Sequence, residues 1–305
     1  MAKAALALKQ IKDKILPDGQ TVPPKELKLN HDTGMLKLLA CVLMLSDHMG
    51  KMIFADAYRF HVSGAWSAIL PATNIFRGIG RLAMPLFAYC VAVGCNYTKN
   101  IWKYALRLII LGILVHPLYQ EAMGHVPFLK LGWKDSFLSA FNGDPAFARY
   151  LAAPFRFLKE IYIYYYKDKN LNILFTLFSA TLILGCYRHK RYIPLALAIL
   201  LTVHWHSRID YGYEGVFLVI LFYAFLDRPA ASAVSVVLFF LNWCVPRLFT
   251  DFTVKANTEI YALLSLPLIY LPVKKRLVKL PKWFFYGFYP AHLLFIFVLL
   301  YNKSI

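Results

Sequence analysis

Acidic residues are scarce in this sequence, and charged residues of either sign are few. Its 305 residues include 16 Asp and Glu against 34 Lys and Arg, so 16% of the chain is charged, whereas soluble domains carry about a quarter charged residues. Hydrophobic residues make up 59% of the chain. From residue 35 onward they form long runs that lack the polar stripe of a soluble surface helix. This composition predicts a helical membrane protein and argues against a soluble domain.

The sequence also lacks motifs for nucleic-acid, disulfide or zinc chemistry. No DNA- or RNA-binding motif accompanies the formal net charge of +18. The basic residues lie between the apolar runs, as they do in the cytoplasmic loops of membrane proteins. The five cysteines form no CxxC pair and fall within or beside apolar runs, so we interpret them as packing residues. No nucleic-acid partner is therefore expected.

The apolar runs predict an all-α fold, a polytopic transmembrane helical bundle of about 8–10 spans. We expect a basic cytoplasmic tail over residues 1–34 and a single transmembrane domain over residues 35–305. Several runs are shorter than the roughly 20 residues that a perpendicular span requires, which indicates tilt or partial insertion. The nine predicted spans are 35–54, 78–95, 101–118, 171–187, 192–207, 213–227, 230–249, 258–272 and 283–301.

Short loops predict an orientation with the N-terminus inside a bacterial cytoplasmic membrane. Loops 96–103, 188–191 and 273–282 carry several basic residues each, whereas loops 208–212 and 250–257 carry one each. The basic loops are expected on the cytoplasmic side.

The long segment 119–170 is rich in aromatic and basic residues. Two interpretations of it stay open. It forms amphipathic helices at the membrane interface, or it forms a cap over a site at the outer face.

Ionisable residues inside membrane spans are costly and indicate function. In the predicted topology most of them lie toward the outer half of the bilayer, and polar groups from different parts of the chain would meet there. These residues, with one asparagine that opens a span, are Asp47, His48, Arg77, Arg81, Arg107, His116, Asn172, Asp210 and His292.

The residue types suggest roles, with alternatives. His48 suits proton transfer near neutral pH, or it is a structural histidine bonded to a neighbouring helix. Arg77 and Arg81 lie four residues apart on one helix face and need an anionic partner. That partner is Asp47, or it is a phosphate or carboxylate of a substrate. Asp47 and His48 point about 100° apart on a helix, so they need not touch.

Two further pairs of polar residues lie around the end of the predicted span 192–207. His204 and His206 do not share a helix face, so a common zinc ion would need an unwound backbone there, and we predict no metal site. Asp210 and Glu214 form either a carboxylate pair or a solvated outer loop.

Six short motifs follow one another from residue 36 to residue 292. They are Leu36-Lys37 before Asp47-His48, Gly80-Arg81-Leu82-Ala83-Met84-Pro85-Leu86-Phe87, Tyr104-x-x-Arg107-Leu108, Asn172-x-x-Phe175-Thr176-Leu177, Asp210-Tyr211-Gly212-x-x-Gly215-Val216 and Tyr289-Pro290-x-His292. In order and spacing the chain resembles the TraX family of polytopic membrane proteins. Met84 departs from the family pattern, where an aromatic residue is expected.

The resemblance implies transfer of an acetyl group from acetyl-CoA, the donor substrate, to an acceptor protein or glycan at the outer face. The favoured acceptor is the N-terminal amine of a pilin, which implies a role in pilus or fimbria maturation or in conjugation. The implied catalytic residues are His48, Asp47 and Arg81. The implied substrate- or donor-binding residues are Arg77, Arg107, His116, Asn172, Asp210 and His292. The alternatives are a proton-coupled transporter or flippase, and a non-catalytic membrane protein of pilus assembly.

Overall fold

The structure, a computed structural model, describes most of the chain. The described residues are 22–51, 74–123, 171–250, 254–275, 277–279 and 281–301. The first 21 residues of the predicted tail lie outside them, as does the segment predicted to be interfacial from residue 124 to residue 170.

The described residues are helical, apart from connecting segments and one isolated β-bridge between Leu171 and Ile209. The prediction of an all-α fold is confirmed for this part of the chain. A helical stretch at 74–80 leads into α2, and a 3-10 helix, Val254–Ser265, leads into α8. The helices are α1 (Thr33–Met49), α2 (Ala83–Tyr97), α3 (Ile101–Ala122), α4 (Ile173–Arg188), α5 (Tyr192–His204), α6 (Gly212–Ala224), α7 (Pro229–Thr250), α8 (Leu266–Tyr270) and α9 (Lys282–Tyr301).

Helix α2 occupies the centre of the bundle. It packs against α1, α4, α6, α8 and the 3-10 helix, and 12 of its 15 residues are buried. Alanines at positions 83, 88 and 92 allow neighbouring helices to approach closely, while Tyr89 fills the core edge-to-face against Phe222 at 5.6 Å. All five cysteines are buried and none is in a disulfide, as the packing interpretation predicted.

Two helices, Asn74–Tyr97 and Ile101–Gln120, are long and apolar enough to cross a membrane. The remaining apolar helices are shorter, at 10–17 residues. Helices α3 and α5 carry large exposed apolar side chains, such as Leu114 at 71% and Ile193 at 70% exposure. Exposed apolar area of this kind is uncommon on soluble proteins.

Residues 22–32 form an extended segment, here called the N-terminal strap, which crosses one end of the bundle. Asn96 on α2 fixes it through a reciprocal pair of hydrogen bonds with the backbone of Lys25, at 2.9 and 2.8 Å. Further along, three strap amides donate to carbonyls of other segments. These pairs are Lys28 with Leu226, Asn30 with Ile269, and His31 with Val273. Part of the predicted tail is therefore packed onto the bundle.

Asp32 ends the strap and begins α1. One carboxylate oxygen accepts the Met35 amide at 3.0 Å and so caps the helix. The other accepts the amides of Leu277 at 2.7 Å and Val278 at 3.3 Å. A Cβ at Gly34 would lie 2.2 Å from the Val278 carbonyl oxygen, so only glycine allows the two segments to lie this close.

Candidate functional site

A cavity of about 250 Å³ lies at the opposite end of the bundle from the strap. It opens where the C-terminal end of α1 meets the start of α2, the end of α3, the start of α4 and the turn between α5 and α6. Its lining residues are Met44, Asp47, His48, Lys51, Arg77, Gly80, Arg81, Ala83, Met84, Phe87, Tyr119, Met123, Ile173, Asp210 and Tyr211.

The close contact of α1 with the start of α2 depends on Gly80. A Cβ built on Gly80 would lie 2.2 Å from the Cβ of Asp47 and 2.6 Å from its Cα. The Ser46 hydroxyl donates to the Phe76 carbonyl at 3.2 Å across the same contact. Glycine at this position therefore brings the Asp47 and Arg81 side chains within reach of each other.

Arg81 is the centre of a paired network, here called the Arg81 hub. Its Nη1 lies 2.9 Å from a carboxylate oxygen of Glu259 and donates to the Tyr211 hydroxyl at 3.2 Å. Its Nη2 lies 3.5 Å from a carboxylate oxygen of Asp47. The Arg81 side chain is only 10% exposed. The partner of Arg81, left open by the sequence, is thus a pair of acidic residues of the chain itself.

His48 lies within a histidine chain that ends on a backbone carbonyl. Its Nδ1 is 3.0 Å from Nε2 of His292, and Nδ1 of His292 is 3.0 Å from the Phe288 carbonyl oxygen. A carbonyl only accepts, so in the neutral pair Nδ1 of His292 carries hydrogen and its Nε2 accepts from Nδ1 of His48. This assignment leaves Nε2 of His48 with a free lone pair, the form that a general base requires.

The turn between α5 and α6 is tied to the start of α4. The Leu171 amide donates to the Arg208 carbonyl at 2.6 Å, and the Asp210 amide donates back to Leu171 at 3.0 Å. The Thr176 hydroxyl donates to the Asp210 carbonyl. Tyr211 follows in the left-handed region with φ of 60°, a conformation that is uncommon for a bulky residue. These contacts hold Asp210 at the cavity and direct the Tyr211 hydroxyl to Arg81.

Three other charged groups of the lining stand apart from the hub, and we call them the open set: Lys51, Arg77 and Asp210. Within the described part of the chain, no ion pair shorter than 4 Å joins them to another side chain. Nε of Arg77 is buried and has no hydrogen-bond partner among the described residues. Burial raises the pKa of the Asp210 carboxyl to about 6, against the opposing charges of Lys51 and Arg81. The open set offers two cations and one carboxyl group to a ligand.

The structure brings together six of the nine residues proposed for the site. Five of them line the cavity, namely Asp47, His48, Arg77, Arg81 and Asp210, and His292 joins them through His48.

The other three proposed residues do not line the cavity. Asn172 caps α4 by accepting the Leu174 amide and also donates to the Gly112 carbonyl. His116 is buried and lies 3.3 Å from Gln120, one turn further along α3. Arg107 is exposed, and the helix rise places it roughly 18 Å from Tyr119, the cavity residue on α3. A role in binding substrate or donor remains a prediction for these three.

The polar residues around the α5–α6 turn also stand apart from the cavity. His204 and His206 are exposed, and the His206 ring packs against Tyr213 at 5.5 Å. The Glu214 carboxylate folds over Gly212, where an added Cβ would lie 2.6 Å from it. Among the described residues, no group of three or more His, Cys, Asp or Glu side chains is arranged to hold a metal ion.

Sequence reasoning missed three site residues, Lys51, Tyr211 and Glu259. Lys51 and Glu259 both fall inside predicted spans, so the rule that intramembrane charges mark function would have selected them. Tyr211 belongs to a quoted motif, but only the folded structure reveals its bond to Arg81.

The chain is similar in sequence to known proteins. The family described as TraX protein matches residues 32–135 and 153–300. A protein of Dichelobacter nodosus, described as "Probable fimbrial assembly protein FimC, serogroup H1", is 23% identical over 199 residues. This alignment covers 65% of the present chain and 64% of that protein's length. No solved structure matches the chain.

Proposed function

Because the chain belongs to the TraX family, we propose that it is a membrane-embedded acyltransferase of pilus or fimbria maturation. It transfers an acetyl group from acetyl-CoA to an acceptor at the outer face of the bacterial cytoplasmic membrane. The favoured acceptor is the N-terminal amine of a pilin. The description of the Dichelobacter nodosus relative as a fimbrial assembly protein supports the link to surface fibres.

In the proposed topology, the chain crosses the membrane several times and the strap end of the bundle lies in the cytoplasm. Two helices have the length and apolarity of membrane spans, and six further helices are shorter but apolar. Exposed apolar side chains on α3 and α5 would face lipid. The basic residues of the 188–191 and 273–282 loops favour the cytoplasm for the strap end, so the cavity would face outward.

The observation that carries the catalytic proposal is the histidine chain beside the cavity. His48 Nε2, left unprotonated by the bond to His292, takes the proton as the acceptor amine attacks the thioester carbonyl. A nitrogen–carbon bond forms and the carbon–sulfur bond breaks. The proton then passes from His48 to the thiolate of CoA, which leaves as the thiol. His292 holds the reactive tautomer and is a positioning residue.

The charged residues of the cavity have separate structural, anion-stabilising and acceptor-binding roles. Two guanidinium nitrogens of Arg81 already pair with Glu259 and Asp47, so the Arg81 hub fixes the cavity wall rather than binding substrate. Arg77 and Lys51, which have no such partners among the described residues, stabilise the negative charge that develops on the thioester oxygen. Asp210 attracts the acceptor in its ammonium form, which loses one proton to solvent before the neutral amine attacks. This division moves the anion-binding role from Arg81 to its neighbours.

The test uses the full-length protein in lipid nanodiscs, radiolabelled acetyl-CoA and a peptide with a pilin N-terminus. The His48→Ala variant should lose about 100-fold or more of the transfer rate, the typical contribution of a general base. The control His206→Ala changes an exposed histidine outside the cavity and should retain the wild-type rate. If the wild type transfers no label to any amine, or if His48→Ala transfers normally, the catalytic proposal fails.

The same experiment addresses the two alternatives. A proton-coupled transporter would move a solute across sealed vesicles without transferring label, and it would depend on the charged cavity residues. A non-catalytic assembly protein would support pilus formation in cells even as His48→Ala. Mass spectrometry of surface pilins from cells with and without the protein adds the acceptor, because N-acetylation would appear as one acetyl group of added mass.

A further inference from the structure

The cavity wall changes character with depth. The rim carries the open set and His48. Further into the bundle the lining is apolar, because Met44 lies one turn before His48 on α1, and Met84 and Phe87 follow Arg81 on α2. Ala83 completes this inner wall. We call the four residues Met44, Ala83, Met84 and Phe87 the apolar floor.

We propose that the apolar floor holds the acyl chain of the donor and limits its length to a short chain, with Met84 as the residue that sets the limit. This inference rests on the proposed acyl transfer and specifies its donor class, short-chain acyl thioesters.

The direction of the chain follows from the chemistry at the rim. The attacking nitrogen must lie within hydrogen-bond reach of His48, and the thioester oxygen must lie near Arg77 and Lys51. The acyl chain is the remaining substituent of the carbonyl carbon, and it has no polar atom. The floor offers apolar contacts to this chain on α1 and α2, beside those of Ile173 at the start of α4 and Met123 at the end of α3.

The size of the cavity limits what the floor can accept. About 250 Å³ must hold the carbonyl group, its sulfur, the attacking amine and the acyl chain together. An acetyl group adds only a methyl group, whereas each further methylene needs room that the floor must supply. Where that room exists, each methylene strengthens binding about fourfold, and where it is lacking the group is rejected.

The side chain of the floor residue Met84 packs against neighbouring helices on the side away from the cavity. A Cβ built on Gly215 would lie 2.9 Å from Cε of Met84 and 2.9 Å from Cγ2 of Thr176. The Met84 side chain therefore lies against the surfaces of α6 and α4, and it is 4% exposed. Methionine is usually an adaptable side chain, but here it is enclosed. Truncation should leave space that a longer acyl chain can fill.

The experiment compares two methionines of the same cavity. Rates of transfer from acetyl-, propionyl-, butyryl- and hexanoyl-CoA are measured for wild type, Met84→Ala and the control Met123→Ala, all full-length in nanodiscs. Both variants remove the same side chain, but Met123 lies at the end of α3 and not on the floor. The butyryl-to-acetyl ratio of kcat/KM should rise about tenfold or more for Met84→Ala and stay within threefold for Met123→Ala.

A reverse variant protects the test against misfolding. Met84→Phe narrows the floor, so the propionyl-to-acetyl ratio of kcat/KM should fall about tenfold, whatever the change in the acetyl rate itself. Equal changes for all donors in both Met84 variants, or the same shift in Met123→Ala, would overturn the chain-length inference while the proposed function stands. If the wild type uses none of the four donors, the proposed function itself fails.

Discussion

The two ends of the bundle differ in how their polar groups are bonded. At the strap end, backbone amides and the Asp32 carboxylate are bonded to other segments of the chain. At the cavity end, Lys51, Arg77 and Asp210 face an open space without an ion pair among the described residues. Buried polar groups usually find partners. In the proposed function, the partner of these three groups is the substrate.

Folding stability and function should therefore depend on different ends of the bundle. The strap end should contribute mainly to folding, and the open set mainly to substrate binding. The Arg81 hub belongs to both, since it pairs internally and also forms the cavity wall. Three variants test this separation.

The largest effect is expected at the hub. Arg81→Met leaves the buried carboxylates of Asp47 and Glu259 without their cation, which should cost about 3–5 kcal/mol of unfolding free energy and abolish transfer. Denaturant unfolding in mixed micelles measures the first, and the labelled-acetyl assay measures the second. The control Arg77→Gln removes a cation one turn earlier and should lose activity while keeping stability within about 1 kcal/mol. Wild-type stability in Arg81→Met would mean that the hub is not structural.

The next effect is expected at the strap. Asp32→Ala removes a helix cap and the acceptor of two further amides, so a loss of about 2–3 kcal/mol is expected. Asp32→Asn keeps one carbonyl oxygen for the cap and should lose less. Transfer per folded molecule should remain near wild type in both variants. A tenfold lower rate at normal stability would show that the two ends are not separate.

The smallest effect is expected in the pH dependence. The raised pKa of Asp210, about 6, means that its carboxyl is mostly protonated at pH 5 and mostly ionised at pH 7. If the ionised form attracts the acceptor, the ratio of the wild-type rate to the Asp210→Asn rate rises up to about tenfold from pH 5 to pH 7. Using the ratio removes the titration of other groups. A ratio that stays constant between pH 5 and pH 7 would exclude Asp210 from acceptor binding.

Much of the helical architecture follows from apolar runs alone. The predicted span 101–118 corresponds to α3 (Ile101–Ala122), and the predicted span 192–207 to α5 (Tyr192–His204). The strap was not predicted, because its partners lie up to about 250 residues away and its contacts are backbone hydrogen bonds. Backbone bonding between distant segments leaves no periodic signal in side-chain type.

Some features of the candidate site likewise follow from the sequence, whereas others depend on the folded structure. Residue type and predicted depth selected Asp47, His48 and Arg81, because intramembrane charges are costly enough to be noticed. The pairing of Arg81 with Glu259 depends on the packing of the 3-10 helix against α2. The tautomer assigned to His48 depends on its contact with His292, 244 residues further along the chain. Residue type and composition cannot predict contacts between residues so far apart in the sequence.

The strap also has a consequence for the order of events during synthesis. It is made before any of the described helices, yet its backbone partners at 226, 269 and 273 and the Asp32 partners at 277 and 278 are made about 200 to 250 residues later. The first described segment of the chain therefore reaches its final position among the last. Until then, the hydrogen bonds of the strap to Leu226, Ile269 and Val273 cannot all form, and that side of the bundle stays incomplete.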